Sequence, residues 1–266
     1  MSTNINLSIE NIITSLAKLY FKYFEIETKA HIQIRVVDDL AKEHTELRPD
    51  SANMFTNLES MNNQNGRLIP PIDKDGIYYV LFNKKVLLDR IKNNDSTFVG
   101  TIAHELTHAV DYYDFKHIDD KNYSEDDIIY NMFQLWSEFH ARKLGYKFIR
   151  HIVSDALPKE INAQVEYIKN TELPFQINYF NNNFIKAEGP INKSYELMQL
   201  LGRFSVWREL SLTDFNNQFI IDKFDNNDSI IDVLEFLEEN STVEMIHDKL
   251  LDMLNVLDKF LSSLSF

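Results

Sequence analysis

A histidine followed directly by glutamate, with a second histidine four residues after the first, offers this 266-residue sequence its clearest chemistry. The segment runs Thr101-Ile102-Ala103-His104-Glu105-Leu106-Thr107-His108-Ala109-Val110-Asp111. On a helix, His104 and His108 lie one turn apart and point the same way, so one nitrogen from each can bind a shared Zn²⁺. Glu105 sits about 100° further round, where it can reach a water on the metal without becoming a ligand. Val99, Ile102, Ala103, Leu106, Ala109, Val110 and Tyr113 form an apolar stripe centred on Leu106. The two histidines lie nearly opposite, flanked by Thr101 and Asp111. This pattern predicts a helix with one face in the core and the other at a cleft. The plainer alternative is a helix with two surface histidines.

The chain contains no cysteine. That removes disulfides, thiolate metal sites and thiol nucleophiles together, so any metal ligands must be His, Asp or Glu. The string AHELTHAV (103–110) resembles the active-site helix of the zincin metallopeptidases, especially the thermolysin-like gluzincins. The close match is confined to that short string. The wider order of a strand, the motif helix and a helix bearing a further ligand is also similar to the zincin core. The resemblance implies that His104 and His108 bind zinc, that Glu105 is the general base, and that a downstream glutamate completes the site. The metzincin branch is excluded, because Asp111 and Asp114 stand where that pattern has glycine and a third histidine.

The gluzincin pattern points to Glu138, in Trp136-Ser137-Glu138-Phe139-His140-Ala141-Arg142. Asn131, Gln134, Ala141 and Gly145 share its helix face, and the small Ala141 and Gly145 would permit close approach to the motif helix. His140 points about 160° away from Glu138, so at most one of them faces the metal. Glu138 is preferred, with His140, His117 and Asp111 as alternatives. Thermolysin-like enzymes carry Asn before this Glu and Asp four residues after it, where this chain has Ser137 and Arg142. The interval from His108 is also longer. The Glu-x-x-Ala step looks more like the ImmA/IrrE-type proteases, and clostridial-type and anthrax-type toxin peptidases also combine H-E-x-x-H with a distant Glu.

Three protein ligands would leave a fourth zinc position for water, whose pKa then falls towards about 7. Glu105 would take its proton and deliver it to the leaving amine. Tyr112, Tyr146, His151, Tyr195 and Arg203 are candidates for holding the developing oxyanion. Asp111, one turn from His108, could orient that imidazole or be solvated. The expectation is a zinc-dependent hydrolase of peptide bonds acting on a protein or peptide. The alternatives are an inactive zincin-fold binding or regulatory protein, a zinc amidase acting on a substrate such as cell wall, and a structural helical protein.

The elements that must position these residues give an α+β, predominantly helical fold. It comprises a small zincin-like N-terminal lobe (1–116) with a short sheet and the motif helix, then an all-α lobe (117–266) supplying the third ligand. The two would form one catalytic unit. Helices are expected over about 6–24, from Asp95 or Ser96 to Tyr113, and over about 125–152, 157–170, 190–210, 229–239 and 242–264. Ser124 with Asp127 could cap the third of these, and Ser241 with Glu244 the last. Strands are expected at HIQIRVV (31–37) and IYYVLFN (77–83), the latter a possible sheet edge for an extended peptide or else ordinary core. Between them lie a polar stretch and a turn-rich run marked by Gly66, Pro70, Pro71 and Gly76. Ile246, Leu250, Met253, Leu257, Phe260 and Leu264 make a stripe suited to packing within the bundle, or to a dimer seam.

The 44% apolar content and 19 Phe argue against disorder. A net charge of −14 argues against broad binding to nucleic acid or anionic membrane, both of which need a positive face. No stretch approaches the roughly 20 apolar residues that span a bilayer. The start has no basic region followed by an apolar block, so the expectation is a cytoplasmic protein of bacterial or phage origin.

Overall fold

Near-continuous apolar residues over 77–83 favour a strand covered on both faces, and this segment becomes the middle of the sheet. The computed structural model describes residues 2–50, 61–118, 121, 123 and 127–264, with side chains from residue 9 onward. It is 68% helical with a small three-stranded sheet, the α+β and predominantly helical class expected. The chain divides into two units, Met1–His117 and Ile118–Phe266.

The first unit contains α1 (Ser2–Tyr23), β1 (His31–Val37), α2 (Leu40–Leu47), β2 (Gly66–Ile69), β3 (Ile77–Asn83), α3 (Lys84–Lys92) and α4 (Thr97–Ile118). The strand order is β1-β3-β2. β1 pairs with β3 in parallel, from His31 opposite Ile77 to Val37 opposite Asn83. β2 pairs antiparallel, from Gly66 opposite Phe82 to Ile69 opposite Tyr79. IYYVLFN is therefore not a free edge for a peptide, since both of its sides are already paired. Its Tyr78, Val80, Leu81 and Phe82 are fully buried.

Three elements of this unit, α2, β2 and α3, were not expected. In α2 only Leu40 and His44 are buried, too few to show a helical period, and its start is fixed by Asp39 accepting from the Lys42 amide at 2.9 Å. α3 follows β3 without a turn residue, and Asn83 both ends the strand and caps the helix by accepting from the Val86 amide. Gly66 marks a close approach as well as a turn. A Cβ there would lie 2.8 Å from the Phe82 ring and 3.1 Å from the Leu81 carbonyl. Asp95 opens α4, accepting from the Thr97 amide at 2.9 Å, while Arg90 bonds both Asp95 and Thr97.

Every regular element of the second unit, among the described residues, is helical. They are α5 (Ile128–Ile152), α6 (Ile161–Tyr167), α7 (Leu173–Lys186), α8 (Gly189–Leu210), α9 (Asn217–Ile221), α10 (Ser229–Glu239), α11 (Val243–His247) and α12 (Leu250–Ser263). A π-helical turn, Ile168–Glu172, joins α6 to α7. The helix expected to stop near 170 thus continues through the π-helical turn into α7, with Pro174 in the first turn of α7. Asp127 caps α5 by accepting from the Ile129 amide at 2.8 Å, whereas Ser124 lies outside the described residues.

The helix expected over 242–264 is two helices, and its cap is Thr242, whose hydroxyl accepts from the Met245 amide, rather than Ser241. Ile246, Leu250, Met253, Leu257 and Phe260 are all buried, so the stripe packs within the bundle. No helix among the described residues is long and apolar enough to cross a membrane.

α5 and α8 make the most extensive helix pair of this unit. A Cβ at Gly202 would meet the Phe139 carbonyl at 2.8 Å, Arg142 Cβ at 2.9 Å and the Lys143 amide nitrogen at 3.0 Å. Two of these atoms are backbone, so Gly202→Ala must push the helices apart. The expected cost is about 1–3 kcal/mol of overpacking, set against about 1 kcal/mol gained in helix propensity. Urea unfolding should show a lower midpoint, and an unchanged or raised midpoint would contradict the close approach.

Candidate metal centre

His104 and His108 converge as the i, i+4 spacing requires. Their Nε2 atoms are 3.1 Å apart, and their rings cross edge to face at 84°. Two nitrogens each about 2.0–2.1 Å from one zinc at a tetrahedral angle would be separated by about 3.3 Å. The pair therefore fits a shared ion with little adjustment.

The motif helix is less one-sided than its sequence implied. Ile102, Ala103, Leu106 and Ala109 are buried as expected, but so are His104, Glu105, Thr107 and Asp111. His104 is 7% exposed and Glu105 8%. Asp111, at 2% exposure, is not the solvated carboxylate that was one of its two readings. The helix is fastened from α1. Burial pushes the Tyr20 hydroxyl well above its usual pKa, keeping it a donor. It lies 2.6 Å from Thr107 Oγ1, which itself donates to the Ala103 carbonyl at 2.8 Å. That chain holds the turn from His104 to His108 in register.

Glu138 lies on α5 and is 3% exposed. Arg142, one turn on, approaches its Oε1 through Nη2 at 3.4 Å. The same nitrogen donates to Gln199 Oε1 on α8 at 2.8 Å. His104, His108 and Glu138 form a group that could hold a metal ion, each offering one ligand atom.

The other ligand candidates are not in that group. His140 stacks on Trp136, with ring centroids 5.1 Å apart. His117 contacts the Tyr113 carbonyl through Nδ1 at 2.7 Å and Asp75 through Nε2 at 3.1 Å. Among the proposed oxyanion donors, Tyr146 is committed elsewhere, donating to Glu172 and accepting from Trp207 Nε1. His151 stacks on Phe148, and Tyr195 is 41% exposed. Tyr112 packs edge-on against His108, with centroids 6.0 Å apart. Arg203 donates to the Gln199 carbonyl at 2.9 Å. Its pKa is lowered by burial first and by Arg142 next, while Glu138 is among the groups opposing that shift. Tyr112 thus contacts one residue of that group, and Arg203 is affected by the charge of another.

No family model matches the chain. Nor does any curated protein or any solved structure.

The sequence reading missed the support around Glu138. Arg142 stood out only as a departure from the gluzincin pattern, although its i+4 spacing could have revealed the pair. Gln199, 57 residues further on, gave no local signal.

Proposed function

We propose that the protein is a zinc-dependent metallopeptidase of the gluzincin kind. The observation that carries this reading is the convergence of the His104 and His108 Nε2 atoms to 3.1 Å, with Glu105 between them. In this reading His104, His108 and Glu138 hold the ion. Zinc, when bound, supplies a Lewis acid that polarises the scissile carbonyl and acidifies a water. Glu105 takes the proton of the attacking water and passes it to the leaving amine. Glu105 is buried on the same helix turn that carries the two histidines. Tyr112 or Arg203 would donate to the developing oxyanion. The net charge of −14 favours a protein or peptide partner over nucleic acid or an anionic membrane.

The test is a panel of peptides and proteins incubated with the zinc-loaded protein. Cleavage abolished by a zinc chelator and restored by added zinc is expected. Cleavage of cell-wall amides alone would replace the peptidase reading with an amidase. No hydrolysis by the fully zinc-loaded protein would leave a binding protein instead.

A further inference from the structure

The second unit carries four arginines, and three of them face a carboxylate. Arg142 Nη2 lies 3.4 Å from Glu138 Oε1, Arg150 Nη1 3.8 Å from Glu172 Oε1, and Arg208 Nη1 3.8 Å from Glu238 Oε2. Arg203, on α8, has no carboxylate at ion-pair distance among the described residues, although the chain holds 41 acidic residues. Its one hydrogen bond to a described residue runs from Nη1 to the Gln199 carbonyl at 2.9 Å. That bond occupies one tip of the guanidinium fork and leaves Nε and Nη2, the two nitrogens along one edge. Arg203 is half-buried, and both of those nitrogens remain open to solvent.

A cation drawn out of water is normally matched by an anion, because burial removes the solvation that would otherwise hold its charge. Burial first, and Arg142 next, lower the Arg203 pKa to about 9, so the group is still charged at pH 7. Three residues oppose that fall, and two of them are committed elsewhere. The Tyr146 hydroxyl serves Glu172 and Trp207, and Glu138 faces Arg142. The third, Tyr179 on α7, is exposed, and its hydroxyl bonds to no described residue. One guanidinium edge matches one carboxylate, whose two oxygens accept two parallel N–H bonds. A phosphate dianion would call for a second unmatched cation, and Arg142 is already matched by Glu138.

We propose that the Nε and Nη2 edge of Arg203, with the Tyr179 hydroxyl as a further donor, is a binding site for one carboxylate of a peptide ligand. Within the peptidase reading, on which its use for substrate rests, the site selects peptides that carry a free carboxylate. Binding itself needs no metal, since Arg203 and Tyr179 both belong to the second unit. An Arg203 occupied in this way leaves the oxyanion to Tyr112.

The experiment uses the full-length Glu105→Gln protein, so that peptides are bound rather than cleaved, with and without zinc. Calorimetry measures the affinity of three forms of one short neutral peptide. They are the free acid, its C-terminal amide, and that amide with one glutamate side chain introduced. Either carboxylate form is expected to bind roughly 10–100-fold more tightly than the plain amide, as for other hydrogen bonds to a charged group. The form that gains identifies the source as a chain terminus or an acidic side chain. Arg203→Met should abolish the gain, Arg203→Lys should lose most of it for want of the fork, and Tyr179→Phe should reduce it by a smaller factor. Without ligand, Arg203→Met should melt no lower than its parent, because an unmatched charge has been removed and the Gln199 carbonyl still accepts its helical amide. Affinities that ignore the carboxylate, an absence of binding by all three forms, or a gain that survives in Arg203→Met would overturn the site. None of these would touch the zinc reading. A protein that takes up no zinc yet discriminates the carboxylate forms would overturn the peptidase reading and leave this binding site standing.

Discussion

Glu105→Gln is expected to keep its metal and lose peptide hydrolysis by roughly 10²–10⁴-fold, the usual contribution of a positioned general base. The substitution preserves shape and hydrogen-bonding capacity but removes the proton acceptor. Glu105 is 8% exposed, so bulk water reaches the side chain poorly and cannot readily supply a substitute base. The loss should fall in kcat, with zinc content and KM little changed, because Glu105 is not assigned as a ligand. Steady-state kinetics on a zinc-loaded sample check this. Retention of wild-type kcat would remove Glu105 from the mechanism. Loss of zinc along with activity would recast it as a ligand.

The largest effect on stability is expected from Trp136→Ala. Trp136 is fully buried in α5, two residues before Glu138. Its indole Nε1 donates to the Asn240 carbonyl at 2.7 Å, tying α5 to the residue that ends α10. Asn240 is itself 1% exposed, and its side-chain amide donates to the Phe236 carbonyl at 2.7 Å. Truncation would remove the ring, at about 3–5 kcal/mol, and strand a buried acceptor, at about 1–3 kcal/mol more. His140, which stacks on this ring, would lose its platform. Since typical domains are stable by about 5–15 kcal/mol, much of the variant should be unfolded near physiological temperature. Trp136→Phe keeps most of the packing and loses the hydrogen bond, so it should cost about 1–3 kcal/mol. Chemical unfolding of the pair separates the two contributions. Near-equal stability of Trp136→Ala and wild type would contradict the anchoring role.

Much of this arrangement could be read in the sequence, for identifiable reasons. Segment 31–37 alternates polar residues with Ile32, Ile34 and Val36, segment 77–83 is a near-continuous apolar run, and both strands appear with the expected limits. The motif helix announced itself through spacing that only a helix makes useful. What escaped was decided by distant partners. α2 buries two residues of eight, so its helicity depends on an Asp39 cap rather than on a stripe. IYYVLFN reads equally as edge or centre until β1 and β2 are seen to flank it. Thr107 and Asp111 look like surface residues by composition, yet both are buried, and Thr107 meets Tyr20 from 87 residues away. At Glu138 the residue type and helix face were legible. Its Arg142 and Gln199 support was not, because half of it lies on α8.

The zinc content of the purified protein, measured beside Glu138→Ala and His140→Ala, tests the central claim most directly. About one zinc per chain is expected in the wild type, lost in Glu138→Ala and retained in His140→Ala. A wild type that takes up no zinc after reconstitution would contradict the account and leave α4 as scaffold.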